Sequence, residues 1–160
     1  MKILALIFLL LSRFVSFGQD STTAFTLTFR TFNHAERIFN GTTSYMLTNS
    51  SIKVTKTFFG ETKSKTVYSK KLSKAQKLFS NISRLHLDTL KDFYFNYCTT
   101  PLSGQEYFLS YSDNLTSKKI SLHHYYLKQL DDIIQIINSN IPEKFQFQYL
   151  TKETKQDCKL

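Results

Sequence analysis

The feature that most constrains the fold is a change in the spacing of apolar residues along the chain. Residues 25–30 (Phe-Thr-Leu-Thr-Phe-Arg) alternate between apolar and polar, which predicts a half-buried strand with Phe25, Leu27 and Phe29 on one side. Residues 127–137 instead carry apolar residues three and four positions apart, which predicts an amphipathic helix. A chain that contains both patterns must fold into strands and helices that share a core.

The alternating pattern recurs along much of the remaining chain. Further strands are predicted at residues 44–47, 52–59, 65–70, 106–111, 119–123 and 145–149. The strand at residues 52–59 is expected to pair with the strand at 65–70 across a turn at Gly60. The strand at 106–111 is expected to pair with the strand at 119–123 across a turn at residues 112–114. The pattern therefore predicts two hairpins.

A first helix is predicted between the two hairpins. Apolar residues recur at helical spacing between residues 72 and 85, and Ser73 with Gln76 three positions later has the form of a capping box. We therefore expect this helix to start at Ser73. Residues 86–104 are ambiguous, because apolar residues as far as Phe93 would continue the helical spacing.

The order of these elements predicts an α+β fold. We expect an antiparallel sheet built from hairpins, with two amphipathic helices packed on one face. The chain has 160 residues, 41% of them hydrophobic and 15% aromatic, which is typical of a globular protein. The predicted single domain covers residues 19–150.

The N-terminal segment has the layout of a secretory signal peptide. Lys2 supplies a positive charge, residues 3–11 are apolar, and the small residues Ser16 and Gly18 are separated by one position. A membrane anchor or a buried helix fits less well, since a bilayer span needs about 20 apolar residues. We expect residues 1–18 to be removed, giving an exported periplasmic or extracellular protein with no transmembrane segment in the mature chain.

The two cysteines, Cys98 and Cys158, predict a disulfide if the chain reaches an oxidising compartment. The bridge would anchor the polar C-terminal tail, residues 151–160, to the middle of the domain. Closing a loop of about 60 residues would stabilise the fold by roughly 4 kcal/mol in the chain-entropy model. The alternative is a nucleophilic thiol at Cys98.

Lysine is unevenly distributed in this basic chain, whose formal charge is +9. Against a single acid, Glu61, the first hairpin and the start of the first helix carry Lys53, Lys56, Lys63, Lys65, Lys70, Lys71, Lys74 and Lys77. This segment predicts an anion-binding face, although lysine on exposed strands also prevents edge-to-edge aggregation. Nucleic acid is not an expected partner, because the segment has no Arg and export removes most such partners.

No catalytic motif is found in the sequence. The four glycines are far apart, so no glycine-rich loop gathers backbone N–H groups around a phosphate. His123 and His124 are adjacent and would point apart on a strand. Asp88 and Asp92 would share a helix face, where solvated charges are the common case. We therefore predict no catalytic residue, no metal ligand and no cofactor.

Short motifs, mainly in the C-terminal half, carry a family resemblance. A Tyr-Tyr pair precedes the second helix, Ile-Pro-Glu-Lys follows it, and further motifs are Asn-Tyr-Cys, Asp-Cys and a leader ending Phe-Gly-Gln. They lie at residues 125–126, 141–144, 96–98, 157–158 and 17–19. In these motifs the chain resembles small uncharacterised exported proteins of flavobacterial type. The resemblance implies export and a Cys98–Cys158 pairing, and it brings no activity.

These observations favour a non-enzymatic exported binding or accessory protein of the cell envelope. Its partner would be an envelope protein or a glycan. One alternative is a secreted hydrolase whose carboxylates or histidines meet only in three dimensions. Another is a binder of anionic surfaces that uses the lysine-rich hairpin.

Overall fold

The computed structural model describes residues 24–33, 41–58, 60–73, 75–98 and 104–150. The predicted signal peptide and the C-terminal tail, with Cys158, lie outside these residues. The described elements are β1 (Thr26–Asn33), β2 (Thr42–Thr48), β3 (Ser51–Thr57), β4 (Lys65–Lys71), α1 (Ala75–Ser83), β5 (Phe93–Phe95), β6 (Gln105–Ser112), β7 (Ser117–His123) and α2 (Lys128–Asn138), with 3₁₀ turns at Leu87–Thr89 and Glu143–Phe145.

The strands form one seven-stranded sheet in the order β4-β3-β2-β1-β6-β7-β5. All neighbouring strands are antiparallel except β5 and β7, which are parallel. The fold is therefore α+β with a mostly antiparallel sheet. The parallel pair departs from the antiparallel sheet that the sequence predicts, because β5 reaches β7 by a crossover through β6 and not by a hairpin.

The alternation in the sequence corresponds to burial in the sheet. On β1, Leu27 and Phe29 are fully buried, and on β6 Tyr107 and Leu109 are buried too. Each such side chain contributes about 1.5–3 kcal/mol when it leaves water. The same core contains residues of both helices, namely Ile82, Leu130, Ile133, Ile134 and Ile137.

The first helix, α1, begins at Ala75 and not at Ser73, and it ends at Ser83. His86 adopts a left-handed conformation, with φ at 48°, which a helix cannot contain. The chain therefore leaves the helical path before Leu87. Phe93, whose spacing continues the helical pattern, lies in β5 instead.

The second helix, α2, confirms the prediction from the amphipathic stripe. It runs from Lys128 to Asn138 and buries four aliphatic side chains in the core. Near its C-terminal end the side-chain nitrogen Nδ2 of Asn140 donates to the carbonyl oxygen of Ile136 at 2.7 Å, which satisfies one of the last-turn carbonyls. Neither described helix has the length and apolar character that a membrane span requires.

The prediction of a strand at residues 145–149 is wrong. Asn138 Oδ1 accepts a hydrogen bond from the Phe147 N–H at 3.0 Å, and Asn138 Nδ2 donates to the Phe147 carbonyl oxygen at 2.8 Å. A side chain therefore bonds the backbone groups that a neighbouring strand would pair. The aromatic alternation instead packs rings on the core, with Phe147 edge-on to Phe29 at 5.4 Å between centroids.

Candidate functional site

The side of the sheet opposite the core is rich in polar and charged side chains. A groove of about 410 Å³ lies on it. The groove, named here the Arg30 groove, combines two cations, four hydroxyl groups and an aromatic ring, and its lining residues are Arg30, Lys119, Thr28, Ser44, Ser110, Ser121, Phe108, Leu109 and Ile120. Such a lining can bind an anion by charge and by hydroxyl hydrogen bonds.

The register of the strands explains why residues far apart in sequence meet in this groove. Arg30 on β1 is the Cα partner of Ser44 on β2 and of Phe108 on β6. Phe108 in turn is the partner of Ser121 on β7. Lys119 lies two positions before Ser121, so its side chain points to the same side of the sheet.

The guanidinium group of Arg30 lies over the ring of Phe108, with its central carbon 4.6 Å from the ring centroid. Such a contact is worth roughly 0.5–1 kcal/mol at an exposed site, and it holds the Arg30 side chain against the sheet. Neither Arg30 nor Lys119 forms an ion pair with an acid in the described part of the chain. The groove is therefore positive, with no carboxylate in its lining.

Three aromatic side chains form a ribbon at the β5 edge of the sheet. The ring centroids of Phe93 and Phe95 are 6.1 Å apart, and those of Phe95 and Tyr97 are 5.1 Å apart. Phe93 is 59% exposed and Tyr97 is 75% exposed. We call these three residues the aromatic ribbon. Large exposed rings of this kind commonly mark a binding surface.

The middle ring of the ribbon covers a buried histidine. Phe95 stacks on His123 with centroids 4.7 Å apart and an interplanar angle of 10°. The Nδ1 atom of His123 lies 3.7 Å from Oε1 of Glu106, and the carbonyl oxygen of His123 accepts from the Asn96 N–H at 3.0 Å. His123 is only 4% exposed, so this pair supports the ribbon from beneath.

His124 lies directly after the end of β7 and is therefore not part of the strand that contains His123. It has a left-handed backbone with φ at 46°, and its Nδ1 accepts a hydrogen bond from the Gln105 N–H at 3.3 Å. Desolvation by burial, and then the charge of His123, lower the pKa of His124. Across the described residues, no group of three or more His, Cys, Asp or Glu side chains is placed to hold a metal ion.

The lysines of the predicted anion-binding face lie in several places. Lys53 and Lys56 are on β3, Lys65 is on the edge strand β4, and Lys63 is in the turn between these strands. Lys74 lies outside the described residues. Because β4 is an edge strand of the sheet, the charge of Lys65 has two possible roles of equal weight. It can prevent pairing with the edge of another sheet, or it can bind an anion.

Three of these lysines meet around a second cleft. Lys70 and Lys71 end β4, and Lys77 lies on α1. With Leu72, Ser73, Leu78, Asn81, Ser139 and Asn140 they line a cleft of about 330 Å³, named here the Lys70 cleft. No acid lines it, and none of the three lysines forms an ion pair within the described chain. Anion binding by these lysines stays a prediction.

Of the two cysteines, Cys98 lies within the described residues. The backbone N–H of Cys98 donates to Oδ1 of the buried Asn96 at 2.9 Å. Cys158 lies outside the described residues. The Cys98–Cys158 disulfide therefore stays a prediction.

Asp88 and Asp92, the carboxylates that the sequence analysis singled out, lie apart from each other within the described residues. Asp88 and Asp92 do not share a helix face: Asp88 lies in a 3₁₀ turn, and Asp92 precedes β5 and pairs with Lys118 at 2.5 Å. In four clefts at the described surface, carboxylates occur singly, as Asp132 and Asp113, and no histidine is present. General acid–base hydrolysis of a glycoside requires two carboxyl groups across one cleft.

The sequence reasoning missed Arg30, Lys119 and Phe108. Each occupies a position that alternates with the buried residues of its strand, so the alternation of each predicted strand is enough to place it on the outer side. What the sequence lacked was the order of the strands. Without it, no pattern brings Arg30 on β1 next to residues of β6 and β7.

Comparison with known proteins adds no relative: no protein-family model matches the chain, and no curated protein is significantly similar to it.

Proposed function

We propose that the protein is a non-enzymatic, exported binding protein of the cell envelope and that the Arg30 groove holds an acidic ligand. The observation that carries this proposal is that Arg30 and Lys119 line the same groove and that no carboxylate lines it. Two cations that line one groove repel each other, and a bound carboxylate, sulfate or phosphate group would offset that repulsion.

We propose further that both helices cover the core side of the sheet and leave the groove side open. It is supported by the core itself, since Ile82 of α1 and Ile133 of α2 are buried together with Leu27 and Phe29 of β1. These strand residues alternate with Arg30 and therefore point away from the groove.

The chemistry of the lining favours an acidic ligand that also carries hydroxyl groups. Ser and Thr hydroxyls both donate and accept hydrogen bonds, so they suit alcohols as well as anions. The charge contacts are exposed, and salt screens such contacts over about 8 Å at physiological ionic strength. We therefore expect modest affinity that falls as salt rises.

Export is part of the same proposal. It is supported by the signal-like residues 1–18 and by the resemblance to exported proteins of flavobacterial type. A protein so placed meets envelope glycans and proteins in the periplasm or outside the cell. Sequencing the N-terminus of the protein from its own host tests this part, and the expected first residue is Gln19. A retained Met1 would contradict export with cleavage.

The groove is tested by titrating polygalacturonate, an acidic glycan, and dextran, a neutral one, into the protein by calorimetry. We expect binding of polygalacturonate only. Arg30→Gln and Lys119→Gln should each weaken it about fivefold, since an exposed charge contact is worth roughly 1 kcal/mol. The matched control is Lys65→Gln, which removes the same charge from the far edge strand. Equal losses in all three variants would mean that net charge, and not the groove, causes binding.

The Lys70 cleft supports a second candidate function, the binding of anionic surfaces. Its three lysines surround a cleft that no acid lines. The test is sedimentation with vesicles that contain phosphatidylglycerol. A triple variant with Gln at Lys70, Lys71 and Lys77 should lose binding, whereas a control triple with Gln at Lys53, Lys63 and Lys65 should retain it. Equal losses would exclude a specific role for the cleft.

A further inference from the structure

The Arg30 groove and the aromatic ribbon lie on the same side of the sheet. Phe93 is the Cα partner of Ser121 and Phe95 is the partner of His123, and Ser121 lines the groove. Tyr94, which alternates with these rings, packs on the core instead. The ribbon therefore continues the surface that begins at Arg30.

One row of paired residues connects the two features. It runs across neighbouring strands from Arg30 through Phe108 and Ser121 to Phe93. Adjacent strands lie roughly 4.8 Å apart, so this row extends about 14 Å from β1 to β5. A single carboxylate or phosphate group fills only one end of such a surface.

The sequence of side chains along the row has the chemistry of a sugar-binding surface. It presents a cation, an aromatic ring, a hydroxyl group and a second aromatic ring. Sugar rings offer C–H groups on their faces, which pack on aromatic rings, and hydroxyl groups at their edges, which bond Ser and Thr. Phe93 and Tyr97 are exposed enough to take part, at 59% and 75%.

Resting on the proposed function, we infer that the ligand is a glycan chain with acidic groups, which lies across the sheet from the Arg30 groove to the aromatic ribbon. An acidic unit occupies the groove between Arg30 and Lys119. The following units cross Phe108 and Ser121 and stack on Phe93 and Tyr97. Phe95 is held in place by its stacking on His123 and forms the floor between the outer rings.

A protein partner fits this surface less well. Protein interfaces have an apolar, closely packed centre, whereas the centre here is a groove lined by hydroxyl groups and two cations. Of the exposed apolar side chains, Phe93 and Tyr97 lie at the β5 end and Met46, which is 41% exposed, lies on β2, so these three do not form one central patch. An acidic peptide is nevertheless the closest competitor, since it also carries carboxylates on an extended chain, and the experiment includes it.

The experiment measures the affinities of galacturonate monomer, trimer and hexamer by calorimetry. For the unchanged protein we expect affinity to rise with length. A Phe93→Ala, Tyr97→Ala double variant should bind the hexamer about tenfold more weakly and the monomer as before, since aromatic stacking contributes roughly 0.5–1.5 kcal/mol for each ring. The control is Leu115→Ala, which removes an apolar side chain that is 96% exposed in the β6–β7 turn.

Two results would overturn the inference while leaving the proposed function intact. In the first, the monomer binds in an Arg30-dependent way but the hexamer binds no tighter or is unaffected by the double variant. In the second, polyglutamate of matched length binds as tightly as the hexamer and shows the same loss. If the unchanged protein binds neither galacturonate nor polyglutamate, the proposed function itself is wrong. A thermal melt of each variant confirms that it is folded.

Discussion

The phenolic oxygen of Tyr149 accepts a hydrogen bond from the backbone N–H of Leu127 at 3.0 Å. The same hydroxyl group donates to the carbonyl oxygen of Tyr125 at 2.8 Å. Leu127 is the residue that precedes α2, and it has no side-chain cap to offer. A residue at the end of the described chain thus fixes the approach to the second helix.

Replacement of Tyr149 by Phe should lower the free energy of unfolding by about 1–3 kcal/mol. The ring stays in place, but the Leu127 N–H and the Tyr125 carbonyl, both partly buried, lose their partner, and a polar group left unsatisfied away from water costs about that much. Urea unfolding followed by circular dichroism measures the change. Tyr97→Phe, which removes an exposed hydroxyl group, should change stability little. A Tyr149→Phe protein as stable as the parent would mean that water replaces the hydroxyl group.

Replacement of Ile133 by Ala should destabilise the protein by about 2–5 kcal/mol. Ile133 is 1% exposed at the centre of α2, and its truncation removes buried methyl groups and leaves a cavity. The matched control, Leu115→Ala, truncates a side chain in the β6–β7 turn that is 96% exposed. Equal urea midpoints for the two variants would show that α2 does not pack on the core.

The protein should lose stability steeply above pH 10. Burial raises the pKa of Tyr45 from 10.0 to about 12, and burial also raises the pKa values of Tyr107 and Tyr149. Because the folded pKa lies above the unfolded one, the unfolded chain releases its proton first as the pH rises. The contribution of Tyr45 is therefore complete below pH 10 and is lost between pH 10 and about 12, at about 1.4 kcal/mol per pH unit.

Unfolding free energies measured through this range check the pH prediction. Tyr45→Phe should reduce the slope, although it also removes a hydrogen bond from Tyr45 Oη to the Phe145 carbonyl oxygen and so lowers stability at neutral pH. Tyr97→Phe should leave the slope unchanged. A Tyr45→Phe protein with the parent slope would place the alkaline transition in other groups.

The Cys98–Cys158 bridge should be visible in the intact mass of the protein purified from its own host. Reduction should add the mass of two hydrogen atoms, and the bridge should stabilise the fold by roughly 4 kcal/mol in the chain-entropy model. A Cys98→Ser, Cys158→Ser double variant should then unfold at lower urea. If alkylation without reductant labels both cysteines, the bridge is absent and the thiol alternative at Cys98 returns.

Local spacing was sufficient for the elements whose two sides differ strongly. The stripe of residues 127–137 predicted α2, and the alternation of residues 25–30 predicted the inward side of β1, because burial on one side imposes a period that the sequence must follow. The same reasoning failed at residues 145–149. Their aromatic residues also alternate because one side packs on the core. However, the backbone of Phe147 forms hydrogen bonds with the side chain of Asn138 and not with a neighbouring strand.

Phe93 illustrates a second limit of local spacing. The spacing of Leu87, Leu90 and Phe93 along the sequence fits a helix. The left-handed backbone of His86 nevertheless ends the helical path before Leu87. A left-handed residue that is not glycine leaves little trace in a sequence. The start of β5, and with it the aromatic ribbon, therefore could not be located from spacing.

The amino-acid sequence by itself determined which side of most strands and of α2 is buried, since the hydrophobic effect acts on each segment through its own period. Only the tertiary structure decided which outward residues become neighbours. Arg30, Phe108 and Lys119 meet because β6 pairs with β1 and β7 pairs with β6. That order depends on long-range pairing, whose energy comes from contacts between segments and not from the periodicity of any one of them.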